Sequence, residues 1–141
     1  MQVKRILETS LYVDDLTAAE SFYRQVLGLQ PFTKQDGRHL FFRCGDAVFL
    51  LFNAQEARQS EHVPAHGASG AGHVAFRMDG DEIDRWRDHL RRHNVKIEQE
   101  IDWGNGGYSL YFRDPAGNSL ELATPQTWGI PADETGNYSE G

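Results

Sequence analysis

Cysteine, proline, basic runs and long apolar stretches are all scarce in this sequence of 141 residues. A single cysteine, Cys44, excludes an internal disulfide and, with an N-terminus that lacks an apolar signal core, predicts a cytoplasmic protein. No apolar run approaches the roughly 18 residues of a membrane-spanning helix. A net charge of −7 without a basic run argues against nucleic acid or an anionic membrane as partner. Small molecules or other proteins are the expected partners.

What the sequence does contain is one pattern that occurs twice, about 65 positions apart. Residues 6–13 and 72–78 each alternate apolar and polar side chains, and a helical pattern follows each of them. Three short strands follow each helix, which predicts an α+β fold of two βαβββ modules. The predicted division is a first module (1–53), a linker (54–70), a second module (71–125) and a polar tail (126–141).

The helices and turns have recognisable ends. The first helical segment is predicted to start at Asp14-Asp15, it carries a capping-box pattern at Thr17–Glu20, and Gly28 predicts its end. The second helix is predicted over 81–93. The strands are predicted at 6–13, about 30–34, 39–44 and 47–53 in the first module, and at 72–78, near 95–102, 107–113 and 118–124 in the second.

Three polar side chains interrupt strands that are otherwise apolar: Glu8, His73 and Glu121. By strand alternation, each lies on the face opposite the helix, so a curved sheet would bring them together. One imidazole and two carboxylates suit a divalent cation. The alternatives are a structural histidine at 73, a rim carboxylate at 8 paired with an arginine, and an internal salt bridge from Glu121 to an arginine.

The same alternation assigns further side chains to this concave face, where they are candidates for substrate binding. Arginines among them would bind a carboxylate or phosphonate, or would balance the glutamates. His66 either extends over the pocket as an acid or base, or is an exposed loop histidine. Trp103 opens a glycine-rich segment that is either a lid or a plain hairpin connection. The candidates are Tyr12, Arg43, Leu50, His66, Trp103, Ser109, Tyr111 and Arg113.

Several motifs carry a family resemblance over roughly residues 4–125. They are Glu8 to Leu16 followed by Phe22-Tyr23 and Val26-Leu27-Gly28-Leu29, then Gly72-His73-Val74-Ala75-Phe76, and finally Tyr111 to Leu122 with its Asp-Pro-Ala-Gly-Asn turn. Together they resemble the vicinal oxygen chelate superfamily, which includes glyoxalase I, fosfomycin resistance transferases, extradiol dioxygenases and bleomycin-resistance proteins.

The resemblance implies that the two βαβββ modules form a cupped, barrel-like mixed sheet with helices on its outer face. It also implies a metal site at Glu8, Leu50, His73 and Glu121. Two departures matter: the first-strand position, more often histidine, is Glu8, and the position of a fourth protein ligand is the apolar Leu50. A three-ligand site on Glu8, His73 and Glu121 is therefore expected. The cation would be manganese, zinc, magnesium, nickel or iron.

The function expected from these residues is that of a metal-dependent lyase, isomerase or transferase. The cation would chelate two adjacent oxygens of a small substrate, and Glu8 or Glu121 would move the proton. The alternative is a non-catalytic drug-binding or metabolite-binding protein of the bleomycin-resistance type; an extradiol dioxygenase is disfavoured by Glu8. Open sheet edges predict a homodimer.

Overall fold

The computed structural model describes residues 1–131 and divides into two compact units. Unit 1 comprises Met1–His73 together with Asp114–Ser119. Unit 2 comprises Val74–Arg113 and the chain from Leu120 onward. The segment Asp114–Ser119 therefore belongs with the first unit, although it connects two strands of the second sheet.

The first half of the chain has the predicted βαβββ order and forms a four-stranded mixed sheet in the order β1-β4-β3-β2. β1 is parallel to β4, whereas β3 is antiparallel to both of its neighbours. The elements are β1 (Glu8–Val13), α1 (Leu16–Leu27), β2 (Pro31–Gln35), β3 (His39–Cys44), β4 (Ala47–Asn53) and a short α2 (Ala54–Arg58).

Alternation along the strands separates two faces of this sheet. Leu11, Leu40 and Leu51 are buried on the face that carries the core. Tyr23 of α1 is fully buried and places its ring 5.2 Å from the ring of Phe49, which fixes the helix against the sheet. The opposite face carries Glu8 and its same-face neighbours, as the sequence predicted.

The second half repeats the order in a sheet arranged β5-β8-β7-β6. Backbone hydrogen bonds from Ser119 to Gly72 and from Met78 to Ala123 join β5 and β8, while β6 is antiparallel to β7. The elements are β5 (His73–Arg77), α3 (Ile83–Arg92), β6 (Gln99–Asp102), β7 (Tyr108–Arg113) and β8 (Ser119–Ala123). The α+β fold of two βαβββ modules is thereby confirmed.

Several boundaries differ from the predicted ones. The N-cap of α1 is Asp15, whose carboxylate accepts the Ala18 N–H, so the helical segment begins at Asp14-Asp15 as predicted, and the capping-box pattern at Thr17–Glu20 lies inside the helix. The predicted linker begins with α2, because the Asn53 side chain accepts two backbone N–H groups there. A 3-10 turn at Pro125–Trp128 includes the start of the predicted tail, and residues 132–141 of that tail lie outside the described residues.

The turn between β7 and β8 forms side-chain hydrogen bonds to other segments of unit 1. The Asp114 carboxylate accepts the Tyr23 hydroxyl at 2.8 Å and the Asn118 backbone N–H at 2.9 Å. Asn118 in turn donates to the carbonyl of Tyr12 and accepts the N–H of Gly72. Burial, followed by the charge of Asp114, raises the pKa of Tyr23 above its usual value. This turn ties α1, β1 and the residue before His73 to the start of β8.

Candidate functional site

His73 is the first residue of β5, and a hydrogen bond fixes the orientation of its ring. Its Nδ1 lies 2.9 Å from the carbonyl oxygen of Ser119. A carbonyl only accepts, so Nδ1 carries the proton and donates it, and the lone pair of the neutral ring is on Nε2. Metal-binding histidines are commonly oriented in this way by a backbone carbonyl.

Glu121 is a buried carboxylate in the middle of β8, with 8% of its surface exposed. Its Oε1 accepts the hydroxyl proton of Ser109 at 2.6 Å. The Ser109 oxygen accepts the indole N–H of Trp103 at 2.9 Å. Because an indole N–H can only donate, the single Ser109 proton is directed at Glu121 and fixes the position of that carboxylate oxygen. Three predicted site residues of unit 2 thus form one hydrogen-bonded chain.

Tyr111 completes this cluster from the same face of β7. Burial raises the pKa of its phenol, and a hydrogen bond to Glu121 and the Glu121 charge raise it further, whereas Ser109 lowers it. A neutral phenol beside a carboxylate is a hydrogen-bond donor. Glu121 therefore faces two hydroxyl groups, from Ser109 and Tyr111, in a buried setting.

A second feature is a cavity of about 660 Å³ formed entirely by unit 1. Its floor is the face of the first sheet opposite α1. Glu8, Leu50, Phe41, Phe52 and His39 all contribute to it. Both first-module positions singled out by the family resemblance, Glu8 and Leu50, therefore line one cavity.

Aromatic rings form much of the wall. His39 stacks on Phe41 with a centroid distance of 4.2 Å and an interplanar angle of 15°. The Phe52 ring meets the Phe41 ring at 68°. The ring centroids of Phe52 and His66 are 4.7 Å apart, and these two rings are nearly perpendicular. The His66 Nδ1 is 2.6 Å from the hydroxyl of Tyr12, and its backbone N–H donates to Ala57. His66 is thus held on the cavity wall.

The predicted arginines have partners or neighbours of their own. Arg113 forms an ion pair with Glu98 at 3.0 Å. Arg43 lies over the ring of Phe32 at 4.5 Å. Arg77, an alternative partner for Glu121, pairs with Asp79.

The three proposed metal ligands do not form a ready-made cluster. Glu8 and His73 belong to unit 1, whereas Glu121 belongs to unit 2. Within residues 1–131, no group of three or more histidine, cysteine or carboxylate side chains is close enough to hold a metal ion. Trp103 lies in a hairpin connection, where its backbone N–H donates to the carbonyl of Gly107. The residue is 45% exposed.

Arg38 and His39 are among the cavity residues that the sequence interpretation did not identify. Arg38 and His39 follow the β2–β3 turn, where sequence alone gives no sign of a pocket. The usable signal was strand alternation. His39 and Phe41 are two residues apart on β3 and share a face, so a cavity-facing Phe41 places His39 beside it. Arg38 precedes the strand, and no periodicity assigns it.

Comparisons with known proteins agree with this fold. Residues 5–122 match the family model of the Glyoxalase/Bleomycin resistance protein/Dioxygenase superfamily. The crystal structure of a lactoylglutathione lyase from Agrobacterium tumefaciens is 42% identical, with a TM-score of 0.89 over 92% of this chain and 100% of that one. A curated relative, the glutathione transferase FosA of Serratia marcescens, is 30% identical over 80% of this chain and 75% of its own length.

A more distant relative is the metallothiol transferase FosB of Staphylococcus saprophyticus, 24% identical over 86% of this chain and 78% of its own length. The family model spans most of the chain, and the lyase structure combines high identity with nearly complete coverage. The chain therefore belongs to the glyoxalase, bleomycin resistance protein and dioxygenase superfamily.

Proposed function

We propose that this protein is a metal-dependent enzyme of the lyase, isomerase or transferase type. Its substrate is a small oxygenated molecule that presents two adjacent oxygens to a divalent cation. Lyase and transferase names among the similar proteins support this reaction class. In this proposal, His73, Glu121 and Glu8 hold the cation.

The observation that carries the proposal is the environment of Glu121. A carboxylate with 8% exposure in mid-strand is costly unless it has partners. The Ser109 hydroxyl, itself fixed by Trp103, supplies one such partner and keeps one carboxylate oxygen in place. Oriented carboxylates of this kind are typical ligands of divalent cations.

The donor set fits a divalent cation in chemistry and charge. His73 offers Nε2 of a neutral ring, and two carboxylates balance a charge of +2. When bound, the cation polarises the two chelated oxygens as a Lewis acid. The proposed ligation rests on this chemistry.

The two carboxylates have different surroundings, which divides their proposed roles. Glu121 is buried and hydrogen-bonded, so its role is to hold its position. Glu8 is exposed at the start of β1 and lines the cavity of unit 1. Glu8 is therefore the carboxylate better suited to accept a proton from the substrate.

The test is a titration of metal-free protein with Mn²⁺, in which electron paramagnetic resonance measures the free ion. We expect about one equivalent to bind, and His73→Ala or Glu121→Gln to weaken binding at least about tenfold. Glu98→Gln, at an exposed glutamate paired with Arg113, is the matched control and keeps the wild-type affinity. Acetohydroxamate, a chelator with two adjacent oxygens, should change the spectrum of the bound ion.

Equal Mn²⁺ affinity in the wild type and both ligand variants would contradict the proposal. Unchanged spectra with acetohydroxamate would contradict the chelation of two oxygens. Glu8→Gln adds a separate check: we expect it to reduce turnover more than Mn²⁺ affinity, because its proposed role is to move a proton.

The second candidate is a binding protein without catalysis, and the cavity of unit 1 favours it. Phe41, Phe52 and Leu50 give that cavity an apolar surface that suits a ring-bearing ligand. Binding of such a ligand with no measurable Mn²⁺ affinity would support this candidate over the enzyme.

A further inference from the structure

The cavity of unit 1 has two chemically different ends. Strand pairing arranges its floor in rows: Glu8 pairs with Val48, Ser10 with Leu50, and Tyr12 with Phe52. His39 pairs with Phe52 from the other side. Glu8 and the row of His39 are thus four residues apart along the strands, which is about 13 Å.

The end away from Glu8 carries a positive charge. Arg38 lines the cavity beside His39, and its guanidinium donates to the Ser60 hydroxyl at 3.3 Å. Within the described residues 1–131, that neutral hydroxyl is its side-chain partner, and no carboxylate pairs with it. Arg5 and Arg113, by contrast, both form ion pairs. Arg38 therefore offers a charge that an anionic group can pair with.

The middle of the cavity is apolar and aromatic. Phe41 and Phe52 are half-buried and meet at 68° with centroids 5.4 Å apart, and Leu50 lies in the row next to Phe52. Half-buried rings at this angle present both a face and an edge to a guest ring. Burial and the charge of Arg38 lower the pKa of His39, so that at neutral pH its ring behaves as another uncharged aromatic wall.

We infer that the natural ligand has an aromatic body and an anionic end group, and that Arg38 binds the anion while Phe41 and Phe52 bind the ring. This inference rests on the proposed function, since the oxygens that chelate the cation would then lie at the opposite, Glu8 end. The substrate class is an elongated aromatic acid. Its charge and its reacting oxygens are separated by roughly the length of the cavity floor, about 13 Å.

The test uses metal-free protein and two probes of equal shape, 3-phenylpropanoate and 3-phenylpropanamide, followed by calorimetry. We expect the acid to bind about tenfold or more tightly than the amide, because a charge-assisted hydrogen bond distinguishes them. Arg38→Gln should remove this preference. Phe41→Leu should weaken both probes to a similar extent.

Arg58→Gln is the matched control. Arg58 also donates to a serine hydroxyl, that of Ser69 at 2.8 Å, and it lies outside the residues that line this cavity. The preference for the acid should persist in that variant. In the wild-type protein, the Arg38 side-chain N–H resonance should shift on addition of the acid and stay in place with the amide, which tests the contact even if Arg38→Gln does not fold.

Equal binding of acid and amide, loss of the preference in Arg58→Gln, or no saturable binding of either probe would overturn the inference. Any of these results leaves the Mn²⁺ titration untouched, so the metal proposal would stand. Conversely, absent Mn²⁺ binding with a retained preference for the acid would overturn the enzyme proposal and leave the ligand class in place.

Discussion

Ser109 links Trp103 to Glu121 through two side-chain hydrogen bonds. A hydroxyl has one proton to donate, and the Trp103 indole N–H occupies one of its acceptor positions. The proton therefore goes to Glu121, and the hydrogen bond fixes one carboxylate oxygen in place. Ser109 can in this way set the orientation of a proposed metal ligand.

Replacing Ser109 with alanine tests this role. Loss of the hydroxyl removes the donor that fixes Oε1 of Glu121, so we expect Mn²⁺ affinity to fall by about 10- to 100-fold. Ser119→Ala is the matched control, because Ser119 contacts His73 through its backbone carbonyl, which the substitution keeps. An unchanged Mn²⁺ affinity in Ser109→Ala, or an equal loss in Ser119→Ala, would contradict the role.

His39 gives a prediction about pH. Burial first, and the charge of Arg38 second, lower its pKa below the usual 6.5. The unfolded state binds the proton more readily, so the free energy of unfolding falls as pH drops below about 6.5, until the folded-state pKa has been passed. In His39→Gln this loss is absent, and urea unfolding at pH 7.5 and pH 5.5 should show a smaller decrease than in the wild type. An equal decrease in both proteins would contradict the prediction.

Residue-level prediction relied on polar side chains that interrupt an apolar strand pattern. Glu8, His73 and Glu121 stood out because each is a charged or titratable group between apolar neighbours. The faces assigned to Glu8 and Ser109 agree with the structure because strand alternation is a local rule. Arg38 was missed since its place in the cavity depends on how the β2–β3 turn folds against Ser60, a contact of distant residues.

At the scale of elements, the turn Asp114–Asn118 shows why a short motif can require particular residues. Asn118 is 2% exposed and uses its side-chain amide three times, toward Tyr12, Asp114 and Gly72. Each contact joins a different segment of unit 1. The motif that carried the family resemblance therefore has a structural role: it holds the beginning of β8, whose Ser119 carbonyl orients His73.

Asn118→Ala should destabilise the protein by about 2–4 kcal/mol, since it removes a buried side chain and leaves partly buried backbone groups of Tyr12 and Gly72 without this partner. The measurement is the free energy of unfolding in urea. Asn105→Ala is the control: Asn105 also accepts a backbone N–H in a hairpin connection, but it is exposed, and we expect a loss below about 1 kcal/mol. A loss of similar size in both variants would contradict the role assigned to the turn.

Elements were predictable in proportion to their length and regularity. The helix ending at Gly28 had both apolar periodicity and a glycine that adopts a φ of 66°. The five-residue α2 has too few residues to show a period, and its signal, an asparagine cap at Asn53, is common in loops as well. Strand β6 begins at Gln99 rather than near residue 95, because strand ends depend on pairing with β7.

At the scale of the whole molecule, the predicted homodimer can be tested directly. β1 and β2 lie at the edges of the first sheet, and β5 and β6 lie at the edges of the second, within the described residues. Such edges favour pairing or packing with another chain. The segment before β1 also leaves Ile6 79% exposed and Leu7 73% exposed, which is typical of a contact surface.

Light scattering coupled to size exclusion should therefore give twice the chain mass of 16.0 kDa. Ile6→Glu should shift the protein toward monomer, because a charge at an apolar contact is costly to bury. Lys4→Glu, a charge change two residues away, is the control for net charge and should leave the dimer intact. A monomeric wild type, or equal masses for the wild type and Ile6→Glu, would contradict this prediction.

A further finding at this scale is that no helix within residues 1–131 has the length and apolar character needed to cross a membrane. The net charge and the family assignment agree with a small-molecule partner.

The most direct measurement is the metal content of untagged protein purified without added ions, determined by mass spectrometry. The wild type is compared with the His73→Ala and Glu121→Gln variants. We predict close to one divalent first-row metal or magnesium ion per chain in the wild type and a clear loss in each variant. Only trace metal in the wild type, or the same content in all three proteins, would contradict a metal centre built on His73 and Glu121.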